Sequence, residues 1–207
     1  MFRNINKYLI HSLLLLVIFV STANGREYCD EAIVFINEVT DETLDIINSS
    51  ELTKNQKKSY LSELLIKNAD FEIMGKIMLG KYARKLPDDM KEVYTDLVKK
   101  MLTKTIYDRL DNDEEEPDVT YAIVNDSCRT KGSKDREFLV DGDVLKDDSR
   151  LASIRWWIII NKDQQYKVID LNLAGVSLTL QKKDEFTSYL SNKSIPQLIR
   201  RLSKKFD

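Results

Sequence analysis

Apolar residues recur at three- and four-residue spacing through most of residues 31–110, and the spacing then changes to runs rich in β-branched and aromatic residues. From Glu31 to Ile47 the positions Ile33, Val34, Ile36, Val39, Leu44 and Ile47 predict one helix, ended by Asn48-Ser49-Ser50. A second helical stretch is expected from Lys54 to Lys85, with Leu61, Leu64 and Leu65 on one face and Ile73, Met74, Ile77, Met78 and Tyr82 further on. Gly75 and Gly80 weaken its far end. A glycine inside a helix costs roughly 1 kcal/mol relative to alanine, so either the helix breaks near Asn68-Ala69-Asp70 or another element packs closely there. Pro87 followed by Asp88 and Asp89 suits the first turn of a third helix. Its apolar face comprises Val93, Tyr94, Leu97, Val98, Met101, Leu102, Ile106 and Leu110.

The acidic run from Asp111 to Asp118 reads as a solvated connector, since the glycine of an EF-hand loop is missing. Beyond it, Val119–Val124, Glu137–Val140, Ile154–Ile160 and Tyr166–Leu173 are expected strands, with turns at Gly132, Gly142 and Asp163-Gln164. Ile154–Ile160 is apolar on both faces apart from Arg155, which predicts a central strand covered on both sides. Two short helices, 183–190 and 196–206, close the chain. Helices first and strands after predict an α+β domain.

The first residues change the expected compartment. Arg3 and Lys7 precede an apolar run from Leu13 to Val20 and the small residues Ser21–Gly25, the three parts of a secretory signal. The spacing of Ala23 and Gly25 places cleavage after Gly25, leaving a single soluble domain of 207 − 25 = 182 residues, 26–207. The signal carries two of the 32 basic residues and none of the 34 acidic ones, so the mature charge is 30 − 34 = −4. Nucleic acid is therefore not an expected partner. The only histidine, His11, leaves with the signal, which removes His-activated nucleophiles, a His base and His-ligated metal; no cofactor is expected. Cys29 and Cys128 are the two cysteines, and an oxidising compartment favours a disulfide without establishing one.

At Asp170-Leu171-Asn172-Leu173-Ala174-Gly175-Val176-Ser177 the sequence resembles the signature of the Mla (maintenance of lipid asymmetry) lipid-shuttle family, also called toluene-tolerance auxiliary components of ABC transport systems. Lys182 and Phe186 match its following basic and aromatic residues. Upstream, Met78-Leu79-Gly80 with Tyr82, then Pro87 and Tyr94, fall in the family's order. Ala174, Lys182 and Leu86 stand where the family more often has Glu, Arg and a capping Thr.

The resemblance implies a helical bundle packed on a twisted antiparallel sheet, related to NTF2-like and cystatin-like architectures. It further implies an apolar cavity between the layers for phospholipid acyl chains. On that basis Met74, Met78, Leu79, Tyr82, Leu97, Met101, Trp156, Ile158, Val168 and Val176 are the candidate lipid-binding residues. Trp156 rather than Trp157 is assigned because it shares strand parity with Ile154, Ile158 and Ile160. The implied role is a monomeric periplasmic carrier, without catalysis, moving lipid between an inner-membrane ABC transporter complex and an outer-membrane lipid-handling complex. The residues alone also admit a small exported enzyme using Asp170 and a tyrosine, or an interaction module whose own side chains fill the core. Asp170 itself reads better as an acceptor for the turn around Gly175 and Ser177 than as a proton-transfer group.

Overall fold

The computed structural model describes residues 23–112, 118–132 and 136–206. The expected signal segment falls outside these up to residue 22, as does most of the acidic connector. The first helix, α1 (Ala23–Asn48), is followed by α2 (Lys54–Asn68) and α3 (Phe71–Leu79). The expected 54–85 helix is thus two helices and a 3-10 segment, Gly80–Lys85. Local chemistry explains the break. Asn68 and Ala69 end α2, and Asp70 starts α3 afresh by accepting a hydrogen bond from the Ile73 N–H at 2.9 Å. Close packing occurs as well: a Cβ on Gly75 would lie 2.9 Å from Tyr94 Cε1, and the Tyr94 hydroxyl donates to the Gly75 carbonyl at 3.0 Å. Helix α4 (Lys91–Asn112) begins after Pro87 and a short 3-10 turn, Asp88–Met90.

Among the described residues six strands follow: β1 (Thr120–Ile123), β2 (Arg129–Thr130), β3 (Glu137–Lys146), β4 (Ser149–Ile160), β5 (Tyr166–Leu173) and β6 (Val176–Ser177). Their order is β1-β3-β4-β5-β6, with β2 also pairing β3, and every pairing between them is antiparallel. β4 is central, as its two apolar faces predict. Helices α5 (Leu178–Leu190) and α6 (Ile195–Phe206) complete the α+β fold.

Gly142 is not in a turn. It lies within β3 opposite Ile123, where Tyr121 lies across it: a Cβ there would stand 2.0 Å from the Tyr121 hydroxyl oxygen. The turn between β3 and β4 is made instead by Asp147 and Asp148, at φ 50° and 59°. Aspartate tolerates this left-handed region better than most residues, which is why no glycine marks the hairpin.

The sheet has two covered faces. On one, Ala32 and Ile36 of α1 pack against Phe138, Val140, Ile158 and Val168. On the other, Ile159 and Ile169 pack with the helical core containing Met78, Leu79, Leu97, Phe186 and Leu198. The outer edge of β5 is closed where Ala69 forms a parallel bridge with Val168 and the Asp70 N–H donates to the Val168 carbonyl at 3.0 Å. A disulfide joins Cys29 of α1 to Cys128 just before β2, with Cα atoms 5.8 Å apart.

Candidate apolar ligand site

The cavity is a consequence of how β4 and β5 pair. Trp157 opposes Asp170, but Ile158 opposes Val168, so β5 carries one additional residue, Ile169, at this point. Such a bulge changes the alternation of side chains along the strand. Val168, Leu171 and Leu173 consequently share a face with Ile154 and Trp156, whereas Ile169 and Asp170 serve the opposite side.

Above Ile154, Trp156, Val168, Leu171 and Leu173 lies a cavity of about 400 Å³. Its other walls are Val39, Thr43 and Ile47 of α1, Leu61, Leu64, Leu65 and Asn68 of α2, Ala69, Met74 of α3, Leu102 and Thr105 of α4, and Leu178 at the start of α5. Fourteen of these seventeen residues are apolar and none is charged. The three polar ones are turned to their own helices. Thr43 donates to the Val39 carbonyl at 2.7 Å, Asn68 to that of Leu64 at 3.0 Å, and Thr105 to that of Met101 at 3.0 Å. A site of this size and composition suits an apolar ligand, and offers nothing to neutralise a buried charge.

Of the sequence-assigned residues, Met74, Trp156 and Val168 line the cavity. The others do not. Met78, Leu79, Leu97 and Met101 are buried in the helical core. One further turn along α3 carries Met78 away from the opening that Met74 reaches. Ile158 has the anticipated face but the wrong depth, being sealed beneath α1. Tyr82 is half-buried on the 3-10 segment, flanked by Lys81 and Lys85, and Val176 is exposed on β6. Missed in the sequence were the walls from α1 and α2. The Leu61-Leu64-Leu65 stripe was visible, but its target was not, because helix spacing alone does not distinguish a core face from a cavity face.

Trp156 is held by its indole N–H, which donates to the Tyr121 hydroxyl at 2.9 Å. Burial pushes the Tyr121 pKa up to about 12, so the phenol remains protonated at neutral pH. Trp157 lies on the other face under the Lys131 ammonium, 3.2 Å from the ring centroid. Asp170 accepts from the Ser177 hydroxyl at 2.5 Å and the Thr179 N–H at 2.9 Å, and Ser177 in turn caps α5 through the Leu180 N–H. Asp170 therefore ties the signature turn to β5. Of the tyrosines a catalytic reading would recruit, Tyr94 bonds to Gly75 and Tyr121 to Trp156. Among the described residues no group of acidic residues and cysteines is arranged to hold a metal ion.

Together these features define an α+β domain that encloses an uncharged apolar site between a sheet and its helices. The chain belongs to the MlaC protein family, whose model matches residues 37–204. It is similar in fold to a phospholipid-binding protein from Ralstonia solanacearum, solved in complex with a phospholipid. The TM-score is 0.68 at 18% identity, covering 83% of this chain and 94% of that one. No curated protein matches it.

Proposed function

We propose that this chain is a periplasmic phospholipid carrier, taking lipid between inner- and outer-membrane complexes and holding its acyl chains in the cavity beneath α1 and α2. The observation that carries this reading is the uncharged cavity of about 400 Å³. Family membership and the fold shared with a protein solved with phospholipid support it. Each methylene removed from water contributes about 0.8 kcal/mol, so acyl chains leave a bilayer readily only when another apolar enclosure receives them. Polar headgroups find no charged group among the described lining residues and remain at the opening. Among the described residues no helix is long and apolar enough to cross a membrane, which is compatible with a carrier acting between membranes. The inner-membrane partner is an ABC transporter complex and the outer-membrane partner a lipid-handling complex; the cycle needs no cofactor on the carrier. The experiment is transfer of a fluorescent phospholipid from donor to acceptor vesicles kept apart by a porous barrier. Transfer should rise in proportion to added protein, and a rate no higher than that without protein would refute the carrier role.

A further inference from the structure

Two residues that the family resemblance directed to the cavity, Val176 and Tyr82, belong instead to one outer surface. Ala174 and Gly175, at φ 50° and 89°, turn β5 into β6, leaving Val176 and Leu180 exposed on either side of Leu178. Leu178 itself lines the cavity, so this corner adjoins one of its walls. Basic groups adjoin it. Lys183, one turn after Leu180, lays its stem across Gly80: a Cβ there would be 3.1 Å from Lys183 Cε. Gly80 opens the segment Gly80–Lys85, which exposes Lys81, Arg84 and Lys85 and contains no acidic residue. The Lys81 and Lys85 ammonium groups stand 5.3 and 5.6 Å from the Tyr82 ring centroid. Of the nearby acids, Glu185 is paired with Lys182 at 2.7 Å and Asp184 is exposed on α5.

We propose that this corner docks the protein directly on an anionic bilayer surface, bringing the Leu178 wall of the cavity to the lipid. The inference rests on the carrier reading for its purpose, and on this surface for its chemistry. Aliphatic tips on a turn enter the headgroup region, a tyrosine between lysines suits the membrane–water interface, and clustered cations are drawn to anionic lipid. An acidic protein surface would satisfy the cations but not the projecting Val176 and Leu180.

Co-sedimentation tests it, using purified protein with phosphatidylglycerol-containing vesicles and with pure phosphatidylcholine vesicles. The protein should pellet with the anionic vesicles and be released by salt. Each basic residue removed should weaken binding roughly fivefold, so the variant Lys81→Gln, Arg84→Gln, Lys85→Gln should lose about a hundredfold. The pair Val176→Ser, Leu180→Ser should also bind anionic vesicles more weakly, while both variants keep the wild-type circular dichroism and lipid content. Failure of the wild type to pellet, equal binding to neutral vesicles, or undiminished binding by the triple variant would overturn the proposal and leave the surface to a protein partner. Lipid content of the same preparations reports separately on the carrier reading: wild type that pellets but carries no lipid would contradict the carrier and not the docking.

Discussion

Asp170 shows how one buried side chain holds a functional turn. Its carboxylate is 5% exposed and receives two hydrogen bonds, from Ser177 and the Thr179 backbone. Asp170→Ala leaves the buried Thr179 N–H without an acceptor and removes the partner of the half-buried Ser177 hydroxyl, and should lower unfolding free energy by about 2–3 kcal/mol in a urea titration. The neighbouring Thr179 poses the opposite case. Its hydroxyl is fully buried with no hydrogen-bond partner among the described residues, so Thr179→Val should raise stability by about 1 kcal/mol in the same titration. At Asp141, burial opposes ionisation, but hydrogen bonds from Arg155 at 2.5 Å and Arg129 at 3.2 Å outweigh it and hold the pKa below the usual value of 3.8. A depressed folded-state pKa gives stability present above pH 3.8 and lost as pH falls through the lower folded value. Because the two arginines are exposed, the contribution is about 1 kcal/mol or less. The wild type should therefore exceed Asp141→Asn in stability at pH 7, and the gap should close below pH 3.8; a gap independent of pH would contradict the ion-pair account.

Among the elements, the strands depend on positions whose meaning changed on folding. Gly142→Ala places a methyl inside the van der Waals envelope of Tyr121, so loss of several kcal/mol, or displacement of Tyr121 and with it the Trp156 bond, is expected on thermal unfolding. The disulfide joins α1 to the segment before β2 across a sequence separation of 99. In the chain-entropy treatment a loop of that length contributes up to about 4.7 kcal/mol, so reductant should lower the melting temperature markedly while Cys29→Ser, Cys128→Ser becomes insensitive to it. Element types were legible because helix and strand periods differ, and Tyr166–Leu173 kept its expected bounds. The extent of β3 was not, because a glycine reads as a turn unless the residue covering it is known, and Tyr121 is twenty-one positions away. Ile158 packs beneath α1 and does not line the cavity for a related reason: alternation gives the face of a strand, whereas depth along it is set by where α1 crosses. Met78 and Met101 were likewise apolar at helical spacing, which their packed core positions satisfy as well as a cavity wall would.

For the whole molecule, the face of the sheet that packs on α1 opens into an apolar cavity, and the helical core walls the same cavity through Ala69, Met74 and Leu102. An empty apolar space of this kind is costly, so a ligand that fills it should stabilise the fold in proportion to its occupancy. At a hundredfold excess over its Kd, bound phospholipid would add about 2.7 kcal/mol, and delipidated protein should melt earlier than protein purified with lipid. The most direct measurement is mass spectrometry of lipid extracted from protein purified without added lipid, compared with Leu171→Asp. That substitution places a carboxylate on the cavity wall, where the described lining residues offer no charged partner, and should evict the ligand rather than disturb the packed core. Phospholipid present in the wild type and absent from a folded Leu171→Asp protein is the predicted result; wild type free of phospholipid, or a folded variant that retains it, would contradict the account.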